Sequence, residues 1–210
     1  MPAAIADRLI TRARSALLQP TLYFLGQGGH DPASPTPSGE DRIDLAKGKG
    51  EQYDKARELA HQLGIDPWTL GPMPACDCSG LVWWILGEPR ADRNTDWIHQ
   101  DARGTHERMR TVSTGRDLVG RPGDLLVYAS NPGARYGHVA LITEVLAGPG
   151  QDGPATRMIH CSVDNHRLPA PPGARVHSGI AETDVEVYRR FHSAAHPEWS
   201  SLVCRPWLLD

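Results

Sequence analysis

The chain has 210 residues, 40% hydrophobic and 22% charged, with a formal net charge of -3. That is an ordinary globular composition, long enough for one sizeable core and without the basic footprint of a nucleic-acid binder. No apolar run is long enough for a transmembrane helix, and four cysteines are too few for a disulfide scaffold.

From Met1 to Gln19, Ile5, Leu9, Ala13, Ala16 and Leu17 recur at helical spacing and predict an amphipathic helix. Arginines are scattered through it and no cleavable apolar core is visible, so a signal peptide is not expected and synthesis in the cytoplasm is. Asp7 and the short length argue against stable membrane insertion. Thr21 to Leu25 reads as a short strand. A loop from Gly26 to about Gly50 follows, rich in turn formers. Its glycines do not open a helix after a strand in the way a phosphate cradle requires. Glu51 to Leu63 predicts a helix ended by Gly64, and a proline-rich approach, Asp66 to Ala75, leads to the most informative stretch of the chain.

That stretch is Asp77-Cys78-Ser79-Gly80-Leu81-Val82-Trp83-Trp84-Ile85-Leu86-Gly87. Asp77 is a good N-cap, Gly87 a good stop, and Pro89 forbids continuation. A segment this apolar belongs in a core, with Trp83 and Trp84 as packing residues. Cys78 then falls in the first turn of a buried helix, where the dipole and the N–H groups favour the thiolate. A buried inert thiol is the plain alternative.

Residues 88–121 read as polar and irregular, with a short helix around Asp96 to Arg103. Arg121-Pro122-Gly123-Asp124 predicts a turn and Leu125 to Tyr128 a strand. Gly137 to Leu146 and Thr156 to Ser162 predict two more strands about a hairpin loop, Gly148 to Gly153. Arg175 to Ile180 and Leu202 to Trp207 carry weaker strand signals. Helices first and antiparallel strands later indicate an α+β domain.

A cysteine nucleophile needs a histidine within hydrogen-bond reach and a polar group to orient it. Ten histidines are present, so position decides. With the hairpin loop centred near residues 149–151, His138 falls opposite a residue between 160 and 164. His138 and His160 are then neighbours, although a slip of one residue would put them on opposite faces. His138 would take the thiol proton and His160 would fix its tautomer. Asp164 is an alternative orienter. Cys161 points away from His160 and reads as core. The other eight histidines, among them His99, His166 and His192, read as solvated. A metal site from Cys76, Cys78, His138 and His160 fits the usual zinc spacings poorly, so no metal and no cofactor are expected.

Four linked motifs resemble the NlpC family of bacterial papain-like cysteine peptidases, which cut the peptide stems of peptidoglycan. They are Asp77-Cys78-Ser79-Gly80-Leu81-Val82, Pro122-Gly123-Asp124-Leu125, Gly137-His138-Val139-Ala140-Leu141-Ile142 and Met158-Ile159-His160. The helix from Asp54 and the following Leu63-Gly64-Ile65-Asp66-Pro67-Trp68 are similar to the family's approach to its nucleophile. The resemblance implies a papain-like fold, a cysteine-bearing helix packed on an antiparallel β-sheet, as a single catalytic domain over 1–210. Residues 1–50 and 163–210 flank the resembling part. It implies Cys78, His138 and His160 as the catalytic set, with Asp77 and Ser79 on the amine end of the substrate and Trp68 near the family's aromatic pocket wall. Asp77 as a plain N-cap stays open beside that role. The implied partner is peptidoglycan or a muropeptide, and delivery to the wall would follow a non-classical route or phage lysis. A non-catalytic wall-binding module and a cysteine acyltransferase are the competing functions.

Overall fold

A computed structural model describes residues 2–132, 135–148, 150–169, 177–191 and 196–209. It has the expected α+β class, and its contacts divide it into two compact units. One comprises residues 15–90 and 161–181, the other 1–14, 91–160 and 182–210. Among the described residues no helix is long and apolar enough to cross a membrane.

The first unit holds a three-stranded mixed sheet. Strand β1 (Leu22–Tyr23) runs parallel to β3 (Met73–Cys76), and β2 (Arg42–Ile43) pairs antiparallel on its other side. Helix α2 (Glu51–Gln62) and helix α3 (Cys78–Leu86) complete it. Leu22, Phe24, Ile43, Leu45, Met73 and Ala75 form its core, with Tyr53 and Ala56 of α2 packed against them. Sequence patterning missed β2, which is only two residues long, and β3, because proline cannot donate to a ladder and the approach to Cys78 is proline-rich. The pairing survives because Pro74 leaves the work to its neighbours. Ala75 N donates to the Asp41 carbonyl, and the Cys76 carbonyl accepts from Phe24 N.

In the second unit, helix α1 (Pro2–Ser15, its first thirteen residues in this unit) buries Ala6, Leu9 and Ala13. Helix α4 (Thr95–Gln100) follows and runs into one wide π-type turn over residues 101–105. A seven-stranded sheet then forms from β4 (Met109–Thr114), β5 (Val119–Gly120), β6 (Leu125–Tyr128), β7 (His138–Val145), β8 (Gly153–Cys161), β9 (Ile180–Asp184) and β10 (Leu202–Pro206). Its order is β4-β10-β6-β7-β8-β5, with β9 also pairing β8. Helix α5 (Glu186–Arg190) places Tyr188 in the core beside Leu126, Tyr128, Ala140, Ile142, Met158 and Val203. Strands β4 and β5 fall where the sequence reads as irregular chain. Both lie at ends of the sheet order, where a strand needs no two-sided apolar pattern, and β4 pairs β10 through a register shift. The strand signal at Arg175 to Ile180 overlaps β9 only at Ile180, residues 177–179 are not strand, and residues 170–176 lie outside the described part.

Two of the histidines read as solvated are buried. His99 faces the Ser200 carbonyl at 3.4 Å, and burial pushes its pKa down. His166 accepts from Tyr23 N at 2.9 Å and donates Nδ1–H to the His177 carbonyl. Burial holds it at about 4. Periodicity could not reveal either one, since each is used to satisfy backbone groups of a distant segment. His192 lies outside the described residues.

The Pro122-Gly123-Asp124 turn carries a buried ion pair. Arg205 of β10 donates from Nε and Nη2 to the two Asp124 oxygens, each at 2.8 Å, and Arg121 N–H donates to Oδ2 at 2.9 Å. The turn backbone also docks on β7, with Gly123 N donating to the Ile142 carbonyl and Ile142 N to that of Asp124.

Candidate active site

Cys78 is the first residue of α3, and every residue of that helix is buried. Asp77 caps it, accepting from Gly80 N at 2.8 Å, while Ser79 Oγ donates to the same carboxylate oxygen at 3.0 Å. The other oxygen accepts from Gly26 N at 2.7 Å and faces the Arg90 guanidinium at 2.9 Å. At the far end Gly87 adopts φ 76, and the N–H groups of Gly87 and Glu88 return to the carbonyls of Trp84 and Trp83. This paired closure ends the helix where the sequence predicts.

The loop after β1 packs on the start of α3. Asp77 N donates to the Gln27 carbonyl, Arg90 N to that of Gly29, and Arg90 Nη1 to Gln27 at 3.2 Å. This explains Gly80: a Cβ there would lie 2.4 Å from the Gln27 oxygen and 2.7 Å from the Gly28 oxygen, both backbone atoms. Helix propensity alone would favour Gly80→Ala by about 1 kcal/mol. The overlap reverses the sign, and Gly80→Ala is expected to cost about 1–3 kcal/mol, read as a lower urea midpoint. A midpoint equal to or above that of wild type would show that the loop does not clamp the helix start.

Trp68 stands apart from this network. It is 57% exposed, and the Arg57 guanidinium lies 5.5 Å from its ring centre.

His138 and His160 belong to the sheet of the other unit. Leu141 pairs with Ile159 across β7 and β8, so continuing that register brings His160 opposite Ala140, one diagonal step from His138 on the same face. The two imidazoles meet with His138 Nε2 2.7 Å from His160 Nδ1, and both side chains are buried. The contact expected from hairpin position is therefore present. The His138 ring also stacks on Tyr188, 5.7 Å between centres. Burial, and then the charge of His160, holds His138 well below the usual histidine range. Burial holds His160 at about 4, against the opposing pull of Asp184. Both rings are therefore neutral near pH 7, the state in which a histidine accepts a proton.

Two partners of the site carry no local signal in the sequence. Arg90 supplies the countercharge for buried Asp77; a carboxylate next to a wholly apolar helix signals that some cation must be near, but not which. Thr183 of β9 places Oγ1 3.0 Å from His160 Nε2, and nothing in the sequence links those positions. Asp164, weighed as an alternative orienter, is exposed and paired with Arg167 at 2.8 Å. Cys161 is buried and donates to the Cys76 carbonyl; burial pushes its thiol pKa well up, as suits a core residue.

Residues 68–156 match the CHAP domain family. CHAP domains occur in NlpC/P60-like and amidase cell-wall hydrolases, in agreement with the resemblance carried by the motifs. The CHAP match includes Cys78 and His138 and stops four residues before His160. No curated protein matches the chain.

Proposed function

We propose that this protein is a cysteine hydrolase that cleaves an amide bond in the peptide stems of peptidoglycan, as an endopeptidase or amidase on a papain-like domain. The observation that carries the reading is the buried, neutral His138–His160 pair at the start of a hairpin. Two imidazoles at 2.7 Å in a core are costly to desolvate, and a base held by its orienter is an arrangement that accounts for them. The seat of Cys78 at a helix start and the CHAP match support it independently.

In this reading Cys78 Sγ attacks the scissile carbonyl and His138 takes the thiol proton. The Cys78 N–H, at the positive end of α3, meets the oxyanion. His138 returns the proton to the leaving amine, and water, deprotonated by His138, hydrolyses the thioester. His160 orients His138. Both carboxylate oxygens of Asp77 already hold the helix start, so its task is positional. Exposed Trp68 is the better placed of the suggested substrate contacts, with Ser79 tied to Asp77.

The test is incubation of purified cell wall with the protein and analysis of soluble fragments by mass spectrometry. Wild type is expected to release new fragments with a freed amine, and Cys78→Ala none. Equal release by the two proteins, or none by wild type, would sink the hydrolase reading. Binding of intact wall without turnover would favour a recognition module, and a product carrying an added amine would favour acyl transfer.

A further inference from the structure

We propose that Thr183 is a positioning residue that sets the tautomer of both histidines, through a one-way relay of hydrogen bonds ending at Nδ1 of His138. The proposal rests on His138 being the base of the cysteine hydrolase. The Thr183 hydroxyl has a single proton to donate. Thr183 Oγ1 lies 3.1 Å from the Asp184 carbonyl, which can only accept. The proton is therefore spent there, and Oγ1 must accept from its other neighbour, His160 Nε2 at 3.0 Å. His160 thus carries its proton on Nε2.

Neutral His160 then has no proton on Nδ1, so that atom accepts, and His138 Nε2–H donates to it across 2.7 Å. His138 is left with its lone pair on Nδ1, the nitrogen that His160 does not occupy and that takes the thiol proton in the hydrolase reading. Reversing the first bond reverses every later one. Were Thr183 to donate to His160 Nε2, His160 would donate from Nδ1, and His138 would hold its proton on Nδ1 with no lone pair there. One hydroxyl thus decides whether His138 is a base or a donor at that position.

The neighbours of Thr183 are pinned in a way that suits this task. Glu182 Oε1 accepts from Thr143 Oγ1 at 2.6 Å and from Arg14 at 3.0 Å, and the Glu182 carbonyl accepts from Arg157 at 3.0 Å. On the other side, Asp184 Oδ1 accepts from Glu186 N at 2.9 Å, tying the strand to α5. The hydroxyl is therefore held between two anchored residues, and replacing it removes a directed contact without loosening the strand.

The experiment compares wild type, Thr183→Val and Thr183→Ser. Nitrogen-15 NMR of the histidine side chains at neutral pH reads the tautomer directly, and wall-fragment release reads turnover. Wild type and Thr183→Ser are expected to carry the His138 proton on Nε2. Thr183→Val, nearly identical in volume, is expected to shift His138 and His160 toward the opposite tautomers. Its kcat should fall about tenfold to a hundredfold with KM unchanged, as outer partners of a functional imidazole commonly cost. A Thr183→Val protein with the wild-type tautomers and wild-type kcat overturns the assignment while leaving the hydrolase reading standing. If wild type releases no fragments, that reading fails, and the tautomers alone still decide the role of Thr183.

Discussion

Replacing His138 with glutamine is expected to slow wall-fragment release at least about a thousandfold, because removing one member of a nucleophile–base set removes most of what the set does. Glutamine keeps a polar side chain of similar reach but cannot accept a proton at neutral pH. The urea midpoint, measured alongside, separates lost chemistry from lost packing on Tyr188. Iodoacetamide labelling of Cys78 should slow in parallel, since the thiolate would lose its base. The wild-type pH profile carries a further sign. Burial and the nearby His160 lower the pKa of His138, and the neutral ring is the active one. As pH falls, the ring therefore stays neutral past 6.5, and the acid limb of kcat/KM should lie below 6.5, the ordinary histidine value. An acid limb at or above 6.5, or a glutamine variant as fast as wild type, would remove His138 from the role of base.

The parts of the site legible in the sequence are those fixed by local chemistry. The Asp77 cap and the Gly87 stop bracket α3 because capping depends on a few adjacent residues. The His138–His160 contact followed from strand alternation and the position of one hairpin loop, both short-range. What stayed hidden depends on distant segments. Arg90 pairs with Asp77, and the Gln27 carbonyl accepts from the backbone N–H of Asp77, across distances in sequence that no local pattern reports. Thr183 meets His160 only because β9 pairs with β8 after a long intervening segment. The strands that patterning missed, β2 to β5, are either two residues long, rich in proline or at a polar sheet end, where alternation carries little information. Buried His166 shows the same limit from the other side: its backbone partners, not its neighbours in sequence, put it in the interior.

Breaking the buried Asp124–Arg205 pair should bring a large loss of stability. Asp124 is fully buried, and Arg205 supplies two of the three hydrogen bonds described for its carboxylate. Arg205→Met would leave a buried charge with the Arg121 N–H alone, a change that typically costs about 3–5 kcal/mol. The outer contact, Arg205 to half-exposed Asp152 at 2.6 Å, contributes far less because water screens it. The charge, not the lost packing, dominates the cost. The double variant Asp124→Leu/Arg205→Met, with neither charge, should therefore regain most of what the single variant loses. The effect also reaches the site. Asp124 and Gly123 hold Ile142 of β7, four residues from His138, so loosening this turn should lower fragment release at temperatures where the single variant is still mostly folded. Urea unfolding of wild type, single and double variants reads the loss and its recovery, and fragment release by the folded single variant reads the effect on the site. A single variant that loses less than about 1 kcal/mol would mean that water reaches the Asp124 carboxylate and that the turn is held by its backbone contacts instead.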